Sequence, residues 1–279
     1  MKVHILVENT SCGECAGEHG LSLYIEHEGK NYLIDTGATG LFSENAEKMG
    51  VDLAEIDEAF LSHAHYDHSG GFREFFAQNQ KAKVYLQEAC KKKYYYKITE
   101  SAKKYIGIPA DILDIYEDRF VYVDGYRKLG DGVFICPHTT PQLWERGRRA
   151  HMFGILDATI TADDFAHEQT IVFEEKGGLY LFNSCSHGGV ENVIEEIKAQ
   201  FPGKVIKAFF GGFHMMGAKG VDSCNFTEEE VKQVGSTLLR TSGAVFYTGH
   251  CTGNVAGVWL KEVMGDRFKP FHSGMEVEV

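Results

Sequence analysis

The chain has 279 residues, 43% hydrophobic and 24% charged, which is enough for one large α/β domain or two small ones with a sizeable core. A formal net charge of −12 excludes the generally basic surface that nucleic acid or an anionic membrane attracts, while leaving room for a local basic pocket. No apolar run approaches the roughly 20 residues of a membrane span, the start Met1-Lys-Val-His-Ile-Leu-Val-Glu8 is too soon charged for a secretory signal, and seven scattered cysteines fit reduced thiols in a cytoplasm better than a disulfide framework.

The apolar run Val3–Val7 predicts a first strand, followed by a loop over Asn9–Gly20 that carries Cys12-Gly-Glu-Cys15 and Glu18-His19-Gly20. Alternation over Leu21–Glu26 and a return over Tyr32–Asp35 predict a hairpin. Helical spacing over Leu41–Met49 stops at Gly50. A buried strand then ends at Glu58-Ala-Phe-Leu61 and delivers Ser62-His-Ala-His-Tyr-Asp-His-Ser-Gly-Gly71, with a helix from Phe72 to Gln80 beyond it. Lys83–Gln87 is the next strand. The segment 88–166 is the least regular: a tyrosine-rich basic helix over Lys91–Lys97, a second helix near Thr99–Ile106, strands near Phe120–Asp124 and Val133–Cys136, and a loop from Pro137 to Phe153. No Pro- or Ser-rich linker bounds this segment, so residues 1–279 read as one domain.

Regular alternation resumes at Thr170–Glu174, and Leu179–Asn183 predicts a strand ending in a loop with Cys185 and His187. An amphipathic helix follows over Val190–Gln200, then a strand Val205–Gly211 that ends in Gly-Gly-Phe-His214. Thr227-Glu-Glu-Glu230 reads as the capped start of a helix to Leu239. Val245–Thr248 is a strand ending at Gly249-His-Cys251, and a last helix runs from about Val255 to Met264.

Chemistry concentrates after Leu61. His63, His65, Asp67 and His68 put three imidazoles and a carboxylate into six residues. His63 and His65 are two apart and project from one face of an extended backbone, while Asp67 and His68 fall in the turn before Gly70-Gly71. Two donors on a strand end and two on a turn can hold two cations side by side, the arrangement of a binuclear hydrolytic centre. The plain alternative, a histidine-rich loop without metal, does not account for so dense a set between an apolar strand and a Gly-Gly turn. The segment 88–166 then reads as an elaboration covering the metal face.

This block resembles the His-x-His-x-Asp-His signature of the metallo-β-lactamase superfamily. The flanking Glu18-His-Gly-Leu-Ser22, Leu33-Ile-Asp-Thr-Gly37, Ser184-Cys-Ser-His-Gly188, Gly211-Gly-Phe-His214 and Gly249-His-Cys-Thr-Gly253 resemble one branch, the 7,8-dihydropterin-6-methyl-4-(ribofuranosyl)aminobenzene-5'-phosphate synthase-like hydrolases. The resemblance implies a four-layer αβ/βα sandwich with functional loops at one edge of two sheets. It implies one or two zinc ions, with iron or manganese also suited to the donors. The expected activity is metal-dependent hydrolysis, in which an activated water attacks a carbonyl or phosphoryl centre of a small, anionic, pterin-like substrate. In the superfamily a late histidine closes the second metal site with Asp67 and His68, and His250 matches it.

For the third donor beside His63 and His65, two alignments stand open. One takes His187; the other takes His167 as the mid-chain ligand and places Cys185 at the bridging position. Many members carry a bridging aspartate there, whereas this chain has Asn183, Ser184 and Cys185. Cys185 is either a thiolate bridge or an inert buried thiol. With Asp67 the one anion among the chosen ligands, the second ion is expected to be held weakly.

His214 finds no ligand position left and is expected to protonate the leaving group or to pack as a structural histidine, and His19 is treated alike. Asp35 is expected to orient a metal-bound imidazole by accepting its other ring proton, or simply to form a turn. Cys12 and Cys15 lack a second Cys-x-x-Cys, which leaves a four-thiolate zinc site unsupported. Arg146, Arg148 and Arg149 fall in a glycine-containing loop suited to a bidentate grip on phosphate, against the alternative of a solvated loop. The partners expected are a small-molecule substrate, no nucleic acid and no membrane. A ligand-binding or regulatory protein that keeps the metal site without turnover is the alternative to an enzyme.

Overall fold

Among the described residues, apolar alternation builds two seven-stranded sheets, each the frame of its own unit. The computed structural model describes residues 1–97, 99, 102–130, 132–156, 159–175 and 177–279. One unit comprises residues 1–125, 141–169 and 272–279, the other residues 126–140 and 170–271.

In the first unit the sheet runs in the order Glu276–Glu278, Lys2–Val7, Ser22–His27, Lys30–Ile34, Glu58–Phe60, Lys83–Gln87, Phe120–Val123. The early strands pair antiparallel, and the last four pair parallel in register. Helices Leu41–Lys48 and Phe72–Gln78 press Phe42, Phe72, Phe75 and Phe76 into a core with Leu6, Leu33, Leu61 and Val84. Each such ring contributes about 1.5–3 kcal/mol by leaving water. Open parallel sheets bind ligands beyond the carboxyl ends of their strands. Here those ends release Asp35 after Ile34 and the histidine block after Phe60.

The first unit also holds a four-stranded antiparallel sheet in the order Thr159–Ala162, Met152–Leu156, Lys93–Lys97, Lys103–Tyr105. It overturns the helix expected over Lys91–Lys97. Three consecutive tyrosines favour a pleated, half-buried surface, with Tyr94 buried and the Tyr95 ring edge-on to Tyr105 across the strands at 5.3 Å. The second expected helix fails too: its residues 100–101 lie outside the described residues, and Lys103–Tyr105 is a strand. The loop expected over Pro137–Phe153 contains a helix, Trp144–Arg149, so Arg146, Arg148 and Arg149 stand on a helix and not a loop.

The second unit's sheet runs in the order Phe268–Pro270, Val245–Thr248, Ile206–Phe210, Gly178–Phe182, Gln169–Glu175, Val133–Pro137, Arg127–Lys128. Its first four strands pair parallel. Helices Val190–Gln200, Glu228–Thr241 and Asn254–Met264 bury Val193, Ile197, Val231, Leu238 and Leu260 with Leu181, Phe209 and Phe246. The capped start read at Thr227 is a reciprocal pair, the Thr227 hydroxyl accepting from Glu230 N–H while Glu230 accepts from Thr227 N–H. Its parallel strand ends release Asn183–Gly189, Gly211–His214 and Gly249–Cys251. The expected α/β class is what the chain adopts. No helix among the described residues is long and apolar enough to cross a membrane.

Candidate metal centre

The first unit's donors stand on a short irregular stretch. The chain leaves its strand at Phe60, bends at His63–Ala64, where His65 N–H bonds back to His63 O at 3.0 Å instead of continuing extended as expected, and then makes one helical turn over Tyr66–Ser69 that carries Asp67 and His68. Gly70 and Gly71 let this turn lie against the Asp35 loop, since a Cβ on Gly70 would meet the Ala38 carbonyl oxygen at 1.9 Å and one on Gly71 the Thr36 carbonyl oxygen at 2.5 Å. Backbone bonds stitch the contact, from Thr36 N–H to His68 O at 2.8 Å and from Gly70 N–H to Gly37 O at 2.9 Å.

Asp35, fully buried at a φ of +62°, is the hub. Its Oδ1 accepts Ser62 N–H at 2.7 Å, and its Oδ2 accepts the Ser62 hydroxyl at 2.6 Å and His68 Nδ1–H at 2.7 Å. Because the Ser62 hydroxyl proton goes to Asp35, its oxygen accepts from His63 Nδ1–H at 2.8 Å. Both rings therefore carry their proton on Nδ1 and a lone pair on Nε2, the tautomer a metal ligand requires. Asp35 thus orients two imidazoles, one directly and one through Ser62.

The rings of His63 and His65 lie 4.6 Å apart nearly perpendicular, and those of His63 and His68 lie 4.2 Å apart. Burial drives the His65 pKa down to about 3, the neighbouring His167 adding to the effect, so its imidazole stays neutral and able to donate a lone pair. Asp67 Oδ2 lies 3.3 Å from Nε2 of the exposed His19 and 3.7 Å from Nε2 of His68. Neutral nitrogen donors beside a carboxylate suit zinc, iron or manganese.

His167 belongs to this unit and has a different setting. Its Nδ1 accepts Ala64 N–H at 3.0 Å, and its Nε2 lies 3.1 Å from Asp163 Oδ2. Burial works to raise the Asp163 carboxyl, but the charge and hydrogen bond of His167, with His65 and Phe165 N–H, hold it below its ordinary value. His65, Asp163 and His167 each bring one donor atom within 4.8 Å of the others. The helix bearing Arg146, Arg148 and Arg149 seats its buried Gly147 on this segment, where a Cβ would meet the Asp163 carbonyl oxygen at 2.0 Å. The Arg148 guanidinium lies 5.8 Å from the Trp144 ring.

In the second unit three strand ends gather Cys185, His187, His214, His250 and Cys251. His187 and His214 have ring centroids 4.1 Å apart, and the Cys251 thiol reaches the Cys185 carbonyl at 3.6 Å. Burial would raise the Cys251 thiol, but hydrogen bonds with Cys185 and His214 and the charges of His250 and His214 hold it well below its usual value. Ser186, His214 and His250 all sit at positive φ, +51°, +52° and +49°. Non-glycine residues held there cost on the order of 1–3 kcal/mol each and cluster at functional loops.

Asn183, where relatives were expected to carry an aspartate, has a structural task. Its Nδ2 donates to Thr170 Oγ1 at 2.9 Å and its Oδ1 accepts Ser186 N–H at 2.7 Å, which shapes the loop before His187. His138 supports the same loop from the other side. Its ring occupies the space a Cβ on Gly188 would take, at 2.3 Å, and its Nδ1 is held by Glu196 at 2.9 Å. Ser62, Asp163, His138 and Glu196 went unnoticed in the sequence. Asp163, four residues before His167 and itself followed by a second aspartate, offered the one visible hint.

The chain is similar in sequence and fold to known proteins. The metallo-beta-lactamase superfamily profile matches residues 16–174. An uncharacterized protein of Methanocaldococcus jannaschii is 29% identical over 226 residues, covering 77% of this chain and 80% of that protein. The 7,8-dihydropterin-6-methyl-4-(beta-D-ribofuranosyl)-aminobenzene-5'-phosphate synthase of the same organism is 25% identical over 273 residues, covering 92% and 88%. Among solved structures Tm1679, a metal-dependent hydrolase of the beta-lactamase superfamily, has the same fold, with a TM-score of 0.83 at 24% identity over 100% of this chain and 99% of that one. With more than half its length matched by the profile and the signature histidines set by Asp35 as ligands are, the chain belongs to the metallo-beta-lactamase superfamily.

Proposed function

We propose that the protein is a metal-dependent hydrolase of a small anionic substrate. The observation that carries the reading is Asp35, which gives His63 and His68 the ligand tautomer, beside a His65 that stays neutral down to a pH of about 3. In the first unit the proposed ligands are His63, His65, Asp67 and His68; in the second they are His187 and His250; zinc is the first choice of ion. When bound, such an ion supplies Lewis acidity, bringing the pKa of water toward neutrality and polarising the bond under attack.

The chain's own residues do the remainder. Asp35 keeps two rings from rotating, and Asp67, anchored beside His19 at 3.3 Å, is placed to take up a proton from water. His214, half-buried against His187, is assigned as proton donor to the leaving group. The cationic helix Trp144–Arg149 is the proposed grip for a phosphate on the substrate. A phosphorylated, pterin-like substrate is suggested by the name of the curated relative. One observation favours the rival reading of a binding protein without turnover: Asn183 is spent on loop structure and adds no anion to the site.

The test strips the protein with chelator, reloads it with zinc, manganese or iron, and assays phosphomonoester, phosphodiester, lactone and thioester panels. Turnover that His63→Ala and His250→Ala abolish supports the hydrolase. Full metal loading with no turnover on any panel favours the binding protein, and failure to take up metal at all ends both readings.

A further inference from the structure

The histidine block leaves its sheet at Phe60; Leu61 N–H still reaches Tyr85 O at 3.0 Å, but beyond it the ladder stops, and the Leu61 and Ser62 carbonyls and the Ala64 N–H need other partners. The segment Asp163–Gln169 supplies them. Gln169 donates from Nε2 to Leu61 O at 2.8 Å and from its backbone N–H to Ser62 O at 2.8 Å. Ala64 N–H, between the two imidazole-bearing residues, goes to His167 Nδ1 at 3.0 Å. A backbone N–H can only donate, so Nδ1 of His167 carries a lone pair there. The opposite nitrogen faces the Asp163 carboxylate at 3.1 Å, so Nε2 carries the proton. Asp163 is itself fixed, its Oδ1 accepting Phe165 N–H at 2.9 Å and its backbone N–H donating to Met152 O at 3.0 Å. The Tyr94 ring stands 4.2 Å from the His167 ring and walls it in.

Both nitrogens of His167 are thus committed, and its tautomer is the reverse of that of His63 and His68, whose Nδ1 protons are donated. Using Nδ1 of His167 for a cation would strand the buried Ala64 N–H, at about 1–3 kcal/mol. Using Nε2 would require loss of its proton and would turn Asp163 from acceptor to rival ligand.

We propose that His167 is a positioning residue and not a metal ligand: a tautomer fixed by Asp163 that holds the His63–Ala64–His65 backbone in place through the Ala64 amide. The proposal rests on the reading of His63 and His65 as ligands only for its purpose. Its geometry is testable without metal.

In metal-free protein, long-range nitrogen–proton correlation of the histidine rings should show His167 protonated at Nε2 and bare at Nδ1, with His63 and His68 protonated at Nδ1. A protonated Nδ1 on His167 overturns the proposal. On cobalt addition the Nε2 proton should persist, and its loss also overturns it. In a parallel arm, His167→Gln retains an acceptor for Ala64 and a donor for Asp163. It should keep the wild-type cobalt stoichiometry and visible spectrum, whereas His167→Ala should bind the same number of ions about 10–100-fold more weakly. Loss of one equivalent in His167→Gln would make His167 a ligand. If wild-type protein takes up no cobalt, the hydrolase reading fails, and the ring protonation pattern in metal-free protein still decides for or against the pin.

Discussion

At the scale of single residues, polar side chains here act mainly by fixing where other groups keep their protons. Removing Asp35 frees both Ser62 and His68, so Asp35→Ala should weaken zinc binding about 10–100-fold in a chelator-competition titration. Unchanged affinity would mean that the two tautomers are set by something else. Glu196 is the counterpart in the second unit. Burial tends to raise its carboxyl, but His138 and Thr140, by side chain and backbone, hold it below its ordinary 4.5. A depressed carboxyl adds stability that is complete above the unfolded value and fades as the pH falls through the folded one. Glu196→Gln should therefore lower stability by about 1.5–3 kcal/mol at pH 7, with the deficit shrinking below pH 4.5, as read from urea midpoints across the pH range.

At the scale of elements, the contact between the turn Tyr66–Ser69 and the Asp35 loop depends on absent side chains more than on present ones. Gly70 has an ordinary helical φ of −66°, so alanine would be free of backbone strain there, yet its Cβ would collide with Ala38 O at 1.9 Å. Gly70→Ala should cost about 3 kcal/mol or more, seen as a lowered thermal midpoint together with loss of zinc affinity. A variant as stable as wild type would show that the two loops separate easily.

Elements with their own periodicity were legible from the sequence. Lys83–Gln87, Val190–Gln200 and Val245–Thr248 have the boundaries their patterns predict. His63, His65, Asp67 and His68 stood out by their spacing alone, and the structure brings the rings of His63, His65 and His68 close together. What stayed hidden was decided by distant partners. Lys93–Lys97 is a strand because Met152–Leu156 and Lys103–Tyr105 flank it, and its lysines and tyrosines fit a helix equally well in isolation. Ser62 looks like any strand-end serine until Asp35, 27 residues away, takes its proton. His167 looks like a ligand from its place in the chain, and the sequence cannot show that its two nitrogens face Ala64 N–H and the Asp163 carboxylate.

At the scale of the whole molecule, a resident ion and the fold should stabilise each other, since donors preoriented in the native chain are scattered in the unfolded one. Chelation should lower the thermal midpoint, and zinc at a hundredfold excess over its Kd should restore about 2.7 kcal/mol. A midpoint indifferent to chelator and zinc would count against the hydrolase and binding readings alike.

The first unit's sheet has a further consequence. Strand Lys2–Val7 lies between Ser22–His27 and Glu276–Glu278, with Ile5 N–H bonded to Met275 O and Gly274 N–H to Ile5 O, both at 2.9 Å. During synthesis on the ribosome residues 2–7 emerge long before their outer neighbour, Glu276–Glu278. That flank must wait, exposed, until residues 272–279 follow. The unit of residues 126–140 and 170–271 is complete once Phe268–Pro270 has joined its sheet, before residues 272–279 arrive. Released chains that end at residue 271 should therefore yield a protease-resistant second unit while the strand Lys2–Val7 stays open to β-aggregation and chaperone capture.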